Sequence, residues 1–386
     1  MSAKQLAGHA GTRLALRGAI PTRAVTATQA HLVSVVVPTY NRAYCLARTI
    51  DSALGQTYPS VEVIVVDDGS VDETADMVAA RYGNDARVRL IRQANAGVAA
   101  ARNAGMRVAR GDYVALLDSD DVWEPWKLEL QVACMRARPE VGMTWTEMVA
   151  VDPAGQVIDA HYLRRMYSAY RWFPTGASLF SDSLELATIV PDLAGVVTDR
   201  RFSVGDLSSA MVMGNLVHTS TVVLTRKRAL SVGGFPEQYR HGGEDYPFHL
   251  RTCRLGPVGY LDVASIRYQR GFPDRLTRAE NDLHMARAFL SAIRPIIQNE
   301  RDTLKLPPSM IRAVLAEAHG WIGEAALDAG EMLPALEHLA RSILYHPLQP
   351  RLLGLLSLAP LPPALTERLR GLYRAVKGRL RRPGSD

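Results

Sequence analysis

Short apolar runs alternate with helix-like segments in the first third of the chain, and this alternation constrains the fold more than any other feature. The runs are rich in β-branched and other apolar residues, as is typical of buried strands; they are Val33–Val37, Val61–Val66, Val88–Ile91 and Tyr113–Leu117. Apolar residues at helical spacing separate them. This pattern predicts an α/β fold with a Rossmann-like, mostly parallel sheet that is flanked by helices.

The pattern loosens further along the chain. Val141–Val151 and Gln156–Ile158 flank a turn-forming sequence, which predicts a hairpin added to the sheet, and Asn215–Leu224 predicts another strand. Residues 160–210 mix aromatic residues without clear periodicity. Apolar residues at helical spacing over 280–345 indicate a helical appendage that covers the core.

We therefore divide the chain into three parts. Residues 1–30 carry three arginines and no acid but lack the apolar core of a secretory signal, so a transit peptide, a flexible leader or an early start codon all remain open. Residues 31–275 are expected to form the main domain, with two halves at 31–130 and 131–275. Residues 276–386 are expected to form a helical C-terminal region.

Charge and composition narrow the classes of partner. A net charge of +6 and a pI near 9.3 favour anionic partners such as nucleic acid, a nucleotide diphosphate or an acidic membrane surface. The first 300 residues have no basic tract interleaved with aromatics, so we expect no nucleic-acid binding. The three cysteines are widely spaced, as in proteins of a reducing compartment, and no apolar run approaches the roughly 18 residues that span a bilayer. We expect a cytoplasmic protein.

A basic amphipathic stripe marks the last part of the chain. Leu369, Leu372, Tyr373, Val376 and Leu380 fall on one side of a predicted helix whose other sides carry arginines and a lysine. Such a helix can lie at the inner surface of an anionic membrane as a peripheral contact. It can equally dock on the protein, and both readings remain open.

Polar clusters follow three of the predicted strands. Pro38–Asn41, Asp67–Ser70 and Asp118–Asp121 each begin where an apolar run ends, and the carboxyl ends of parallel strands meet at one crevice. The acids of the third cluster repel one another, which favours a neutralising cation. Oxygen ligands suit Mg²⁺ or Mn²⁺. An acidic turn that caps the next helix is the alternative.

Four strings in order resemble the successive signatures of family 2 glycosyltransferases. They are Val35–Arg42, Val65–Asp72, Asn95–Gly97 with Ala101–Gly105, and Leu117–Trp123. The resemblance extends over about residues 33–270. It implies a GT-A fold, a nucleotide-diphosphate sugar donor, a divalent cation and inversion at the anomeric carbon.

The same resemblance implies roles for individual residues. Pro38, Thr39 and Tyr40 would border the nucleobase, Asp68 would accept a hydrogen bond from the base ring, and Arg102 would lie near the diphosphate. Asp118 and Asp120 would form the metal-binding pair, with Asp120 nearest the ion. The full implied nucleotide-binding set is Pro38, Thr39, Tyr40, Asn41, Asp68, Gly97, Arg102, Asp118 and Ser119. Asp68 could instead form an Asx turn, Tyr40 lie at the core rim, and Arg102 be a solvated helix charge.

Gly243-Glu244-Asp245 also resembles the family, in which an acid at this place serves as catalytic base. Asp245 is therefore assigned as the base that deprotonates an acceptor hydroxyl, and Glu244 would orient it or compete for the role. Two acids at a helix N-terminus, favoured by the helix dipole, are the alternative. The resemblance implies that the half at 31–130 binds the nucleotide sugar and that the half at 131–275, including an acceptor-side region at 160–210, binds the acceptor. On the acceptor side we expect Trp123 and His218, although His218 could also be a core histidine.

The chain departs from the family pattern at two places. Pro247 stands where relatives commonly carry a second aspartate, and no histidine follows Ile266–Arg270 to complete a metal shell, so the third protein ligand stays open. We expect an inverting transferase that uses a UDP-sugar and a glycan or lipid-linked acceptor. A sugar-1-phosphate nucleotidyltransferase, faintly suggested by Gly11–Leu14, and a non-catalytic sugar-nucleotide-binding protein are the alternatives.

Overall fold

The fold is described from a computed structural model of the chain, over residues 31–175, 178–240, 242–272 and 281–358. The leader at 1–30, the Gly11–Leu14 string within it and the basic amphipathic stripe after Leu358 lie outside these residues. Within the described residues, no helix combines the length and the apolar character that crossing a membrane requires.

A mixed sheet of eleven strands forms the centre of the described residues. The strands are β1 Val33–Thr39, β2 Val61–Asp67, β3 Val88–Arg92, β4 Tyr113–Leu116, β5 Val122–Trp123, β6 Met143–Val151, β7 Val157–Asp159, β8 Asp182–Glu185, β9 Arg201–Gly205, β10 Val223–Thr225 and β11 Val258–Gln269. Their order is β3-β2-β1-β4-β10-β6-β11-β9-β8, with β5 paired to β11 and β7 to β6. β3, β2, β1 and β4 are parallel, and β6 is parallel to β11. The predicted α/β architecture is confirmed.

Helices cover the sheet and continue beyond it. They are α1 Leu46–Leu54, α2 Thr74–Tyr82, α3 Val98–Val108, α4 Lys127–Ala137, α5 Tyr162–Met166, α6 Leu186–Ile189, α7 Ala194–Val197, α8 Arg226–Ser231, α9 Asp245–Arg254, α10 Asp282–Asn299, α11 Pro308–Asp328, α12 Met332–Tyr345 and α13 Pro350–Leu358. Short 3₁₀ turns occur at 168–172, 191–193, 210–213, 219–221 and 301–303. The last four helices form the predicted C-terminal helical region.

The parallel strands are apolar along their length because both faces of the sheet are covered. Every residue of β1 and of β2 is buried. Helix α3 lies directly on β1, where a Cβ at Gly105 would come within 2.4 Å of Val36 Cγ1. The strand ends are tied together beyond the sheet, since Asp68 N donates to Thr39 O at 2.9 Å. The clusters predicted to meet at one edge therefore lie at one edge.

Ser70 Oγ accepts from Asn41 N at 2.9 Å, while the first residue of α2 donates its N–H to Asp72 Oδ1 at 3.0 Å. One local prediction is wrong. Residues 215–222 do not form a strand, and only β10 does. Asn215 Oδ1 accepts from Val217 N and Thr221 Oγ1 donates to His218 O, and such local bonds compete with strand pairing. The hairpin of β6 and β7 is as predicted.

The C-terminal helices pack closely on the loop before α9. A Cβ added at Gly243 would lie 3.0 Å from Ala288 Cβ and 3.3 Å from Met285 Cα, both in α10. Gly243 has a φ of +90°, which glycine adopts without the strain of a side chain. Both the close approach and the backbone angle therefore require glycine immediately before Glu244, and α10 supports the loop that carries the predicted base.

Candidate active site

A cavity of about 1220 Å³ opens where the strand ends, the segment 162–171 and the C-terminal helices meet. One side, which we call the acidic wall, contains Arg102, Asp118, Asp120, Asp121, His218, Glu244 and Asp245. Another part of the lining, which we call the helical wall, contains Met285, Phe289, Glu317, Trp321, Glu324 and Arg351. The appendage that was expected to cover the core thus also encloses this cavity.

Arg102 joins distant parts of the acidic wall. Its guanidinium, only 4% exposed, donates from one terminal nitrogen to Glu244 Oε1 and from the other to Asp118 Oδ1, each at 2.6 Å. The ring of Phe235 lies 5.0 Å from the guanidinium carbon. Two carboxylates raise the pKa of Arg102 despite its burial, so it stays charged. The alternative of a solvated helix charge is wrong, because Arg102 is buried in an ion-pair network.

The acids that follow β4 have different environments. Burial alone would raise the pKa of Asp118, but the Arg102 guanidinium outweighs it and holds this pKa below its ordinary value. Burial and the neighbouring carboxylates of Asp121 and Asp118 raise the pKa of Asp120 to about 7. Arg42, 3.7 Å away, offsets part of that shift. Asp120 therefore gains more than Asp118 from any cation that enters the cavity.

Asp118, Asp121 and His218 form a group that could hold a metal ion. Each offers a ligand atom within 4.8 Å of the others. Asp121 is 1% exposed, and its Oδ1 lacks a hydrogen-bond partner among the described residues, while its Oδ2 lies 3.4 Å from His218 Nε2. An orphaned carboxylate oxygen and an oxygen-rich ligand set both fit Mg²⁺ or Mn²⁺. His218 is a candidate for the third ligand that the sequence left open.

His218 lies in the cavity, although it is 8% exposed. Tyr167 Oη is 3.2 Å from its Nδ1, and the Tyr268 ring packs edge-on at 5.2 Å. Burial would lower the pKa of His218, but the hydrogen bond and charge of Asp121 outweigh it and raise this pKa. The residue therefore combines both sequence readings, since it is buried and also borders the cavity.

Asp245 is the first residue of α9 and is half-buried on the acidic wall. Its Oδ2 accepts from Asn215 Nδ2 at 3.3 Å. Burial raises the pKa of Asp245, although Arg102 opposes this shift. A carboxylate with a raised pKa is a stronger base, whereas its neighbour Glu244 is held by Arg102. The geometry thus gives the two adjacent acids different environments.

The predicted nucleobase end is built by hydrogen bonds at the ends of β1 and β2. Asp68, 3% exposed, accepts from Ala96 N at 2.9 Å and Gln93 Nε2 at 2.7 Å through Oδ1, and from Gly97 N at 2.8 Å through Oδ2. Asn41 has a φ of +53°, and its Oδ1 accepts from Val71 N. Asp68 therefore orders the β3–α3 loop, with lone pairs to spare for a further donor.

The cavity brings together some of the site residues that were predicted from the sequence. Pro38, Arg102, Asp118, Ser119, Asp120, His218, Glu244 and Asp245 line it. Thr39 and Asp68 are buried beside it, Tyr40 is 46% exposed, and none of these three, nor Asn41 and Gly97, is among its lining residues. The core-rim alternative for Tyr40 does not fit that exposure.

Trp123 requires a correction. It is 3% exposed, its indole Nε1 donates to Ser220 O at 2.9 Å, and Lys127 Nζ lies 4.2 Å from its ring centre. Pairing of β5 with β11 turns this ring into the core instead of towards an acceptor. Sequence reasoning gave no role to Arg42 and Asn215 and no individual role to Asp121, although all three line the cavity. Asp121 belongs to the acidic string and could have been included on that signal.

Comparison with known proteins relates the first half of the chain to one family. A family model described as glycosyl transferase family 2 matches residues 34–173. Chondroitin synthase of Escherichia coli is 38% identical over 137 residues, which are 36% of this chain and 20% of that protein. Hyaluronan synthase of Pasteurella multocida is 39% identical over 131 residues, which are 34% of this chain and 14% of that protein. The chain thus spans a fifth or less of the length of these curated relatives.

The fold extends the likeness beyond the matched segment. The crystal structure of S. aureus TarS 1-349 in complex with UDP-GlcNAc has a TM-score of 0.53 and 20% identity, covering 85% of this chain and 87% of that one. Such a likeness supports the GT-A fold. Residues 34–173 are thus similar to glycosyl transferase family 2, and the fold of the chain is similar to that of the TarS fragment.

Proposed function

We propose that the chain is an inverting, metal-dependent glycosyltransferase that moves a sugar from a nucleotide-diphosphate donor to an acceptor hydroxyl. The observation that carries this proposal is the acidic wall, where the acids after β4, the Arg102 network and Asp245 line one cavity. Residues 31–275 would supply these groups, and the helical region from 276 onwards would enclose them.

Asp118 and Asp120 are proposed to hold Mg²⁺ or Mn²⁺, with Asp121 and His218 as further candidate ligands. When bound, the ion would offset the charge that develops on the departing diphosphate. Arg102 supports this step from the protein side, since it is fixed between two carboxylates and requires no reorganisation as charge develops. Arg42 provides a second cation on the same side of the cavity.

Asp245 is proposed to accept the proton of the acceptor hydroxyl. A hydroxyl is a weak nucleophile until a carboxylate within hydrogen-bond reach takes its proton. Asn215 fixes the carboxylate of Asp245 through Oδ2, and burial raises its pKa. Attack by the activated oxygen on the anomeric carbon forms the new glycosidic bond as the bond to the diphosphate breaks, in a single displacement that inverts this carbon.

A UDP-sugar donor and a glycan acceptor are the substrates we propose to test first. The TarS fragment was solved with UDP-GlcNAc, and the relatives matched over residues 34–173 are named for chondroitin and hyaluronan synthesis. A lipid-linked glycan would present the same kind of hydroxyl. Donor and acceptor are therefore proposed as classes of substrate.

A screen of nucleotide sugars with and without Mn²⁺ tests the donor class. A ligand at a hundred times its Kd stabilises the folded state by about 2.7 kcal/mol, which raises the melting temperature measurably. The true donor should also release its nucleotide diphosphate when an acceptor is present. Stabilisation by none of the donors, or equal turnover after complete metal removal, would contradict the proposal.

The metal assignment has its own test in Asp120→Ala. We expect this variant to fold but to lose Mn²⁺-dependent donor turnover, because Asp120 lies beside the like charges of Asp121 and Asp118, which a cation would offset. Isothermal titration of Mn²⁺ into Asp120→Ala and His218→Gln would show which of them weakens metal binding. Asp192→Ala, an exposed acid outside the cavity, is the control. Unchanged turnover in Asp120→Ala would refute the role of this residue.

A further inference from the structure

The helical wall faces the same cavity as the proposed base, yet the proposed chemistry assigns it no role. α10 contributes Met285 and Phe289, α11 contributes Glu317, Trp321 and Glu324, and Arg351 comes from α13. On α11 the spacing of four and three residues puts its three side chains on one helical face. This face is therefore a continuous surface along the cavity.

The packing of α11 on α12 fixes that orientation. A Cβ at Gly323 would lie 2.8 Å from Leu339 Cγ and 3.1 Å from Leu339 N, so the two helices are in close contact through this glycine. The contact holds the other side of α11 towards the cavity. Trp321 is 39% exposed there, which is unusual for the largest apolar side chain.

Aromatic rings run from the proposed base to Trp321. Tyr246 follows Asp245 directly and is 6% exposed, and its ring centre lies 5.0 Å from that of Phe289. Phe289 is half-buried, and its ring centre lies 6.3 Å from that of Trp321. Exposure thus increases along the row, from the reacting end of the cavity to its outer end.

Charged pairs flank Trp321 on the same helical face. Glu317 pairs with Arg171 of the 168–172 turn, and Glu324 pairs with Arg351 of α13. All four side chains are partly exposed, between 26% and 52%, so a ligand in the cavity can reach their charged ends. A planar aromatic face between hydrogen-bonding groups matches a sugar ring, which has apolar C–H faces and a rim of hydroxyls.

We propose that the helical wall binds the acceptor as an extended glycan, with one sugar ring on Trp321 and its hydroxyls on the Glu317–Arg171 and Glu324–Arg351 pairs. This inference rests on the proposed function and specifies its acceptor. The cavity of about 1220 Å³ exceeds the roughly 300–1,000 Å³ that holds one drug-sized ligand, so donor and acceptor fit together. A lipid chain is disfavoured because it would remove both charged pairs from water without replacing their hydrogen bonds.

The test uses the full chain on a microarray of immobilised glycans that are graded from one to eight sugars, with a UDP-sugar donor and Mn²⁺ present. We expect the wild type to bind glycans of two or more sugars. Trp321→Phe should keep this binding, whereas Trp321→Ala should weaken it at least about ten-fold because the aromatic face is lost. Glu324→Gln should weaken it less. Leu344→Ala, at an exposed site on α12 outside the cavity, is the matched control and should bind as the wild type does.

Solution titration of the best glycan, followed by tryptophan fluorescence, provides the second readout. The signal should change in the wild type and shrink in Trp321→Phe while affinity is kept. Equal glycan affinity in the wild type and Trp321→Ala, absence of binding to every glycan, or binding only to vesicles that display alkyl chains would overturn the inference. Donor turnover by the wild type is measured beside these titrations. If turnover persists while Trp321→Ala binds normally, only this inference fails; if no donor is turned over, the proposed function fails.

Discussion

The acidic wall and the helical wall differ in where their charges lie. On the acidic wall Arg102, Glu244 and Asp121 are buried, at 4%, 5% and 1% exposed, and the remaining acids are half-buried. On the helical wall the ion pairs of Glu317 and Glu324 remain partly open to solvent. Electrostatic interactions are stronger in a low-dielectric environment, whereas exposed pairs contribute little energy but exchange hydrogen bonds readily.

The two walls therefore suit different tasks. Fixed, buried charges can stabilise the charge redistribution of a reaction without reorganising. Exposed aromatic and charged side chains can hold a substrate without altering its chemistry. Damage to the acidic wall should accordingly change rates and folding stability, and damage to the helical wall should change affinity. Variants of the two walls test this division between rate and stability on one wall and affinity on the other.

Asp245→Asn should have the largest effect. The change removes the proposed base but keeps its size and its contact with Asn215, so donor binding should persist while transfer falls about 10²–10⁴-fold. Transfer to acceptor and donor affinity are measured separately, the second by isothermal titration. The fall in rate should appear in kcat.

Asp76→Asn is the matched control, since Asp76 is also an acid in the first turn of a helix but is exposed and outside the cavity. Both variants lose a favourable interaction with a helix dipole, worth about 0.3–1 kcal/mol of stability. Only Asp245→Asn should lose transfer. A variant that keeps its rate would mean that another group takes the proton, with Glu244 the next to test.

Arg102→Met should have the next largest effect, on stability. It leaves Glu244 and Asp118 without their buried cation, which costs about 3–5 kcal/mol for a buried pair broken on one side. Urea denaturation at pH 8 measures the loss. The deficit should shrink as pH falls, because protonation removes the uncompensated negative charges.

The control is Arg81→Met, which breaks an ion pair of equal length, 2.6 Å, between Arg81 and Asp51 on the surface. Exposed ion pairs contribute about 0–1 kcal/mol to folding stability, so the urea midpoint of Arg81→Met should stay close to that of the wild type. If the two variants lost equal stability, burial would not be what makes the acidic wall different.

The acidic wall is the wall that the sequence could predict. Parallel strands end at one edge, so Asp68 and Asp118 were expected near one another without any knowledge of side-chain packing. β1, β2 and α3 are found where local patterns indicated them. The apolar runs specify the sheet because covered parallel strands are apolar on both faces, which leaves a strong local signal.

The helical wall was not predictable in this way. A cavity-facing Trp321 and a core-facing Leu339 look alike as apolar residues at helical spacing, and only the contact at Gly323 separates them. The prediction that Trp123 lies on the acceptor side was wrong for the same reason. The string Leu117–Trp123 resembles the family, but the pairing of β5 with β11 decides where the ring of Trp123 points. His218 meets Asp121 through a turn that sequence periodicity read as a strand.

The smallest effect concerns pH and the support of the helical wall. His319 of α11 and His338 of α12 meet through their Nδ1 atoms at 3.0 Å, with Glu337 and Arg341 on α12 and Arg287 and Arg294 on α10 nearby. Burial, with His338 and the arginines, lowers the pKa of His319 to about 4. The unfolded chain, with an ordinary pKa of about 6.5, takes up a proton first as pH falls. Stability from this residue is thus complete above about pH 6.5 and is lost towards pH 4.

Comparison of His319→Gln with the wild type isolates the pH-dependent stability that comes from His319, because the carboxylates titrate in both proteins. Between pH 7.5 and 5 the wild type should lose about 2 kcal/mol more unfolding free energy than the variant, at about 1.4 kcal/mol for each pH unit below 6.5. Urea denaturation at both pH values measures the difference. Equal losses of unfolding free energy in the two proteins would show that the folded protein can take up a proton on His319 without losing stability. In that case α11, which supports the helical wall, would tolerate an added charge, whereas the acidic wall loses stability when the charge of Arg102 is removed.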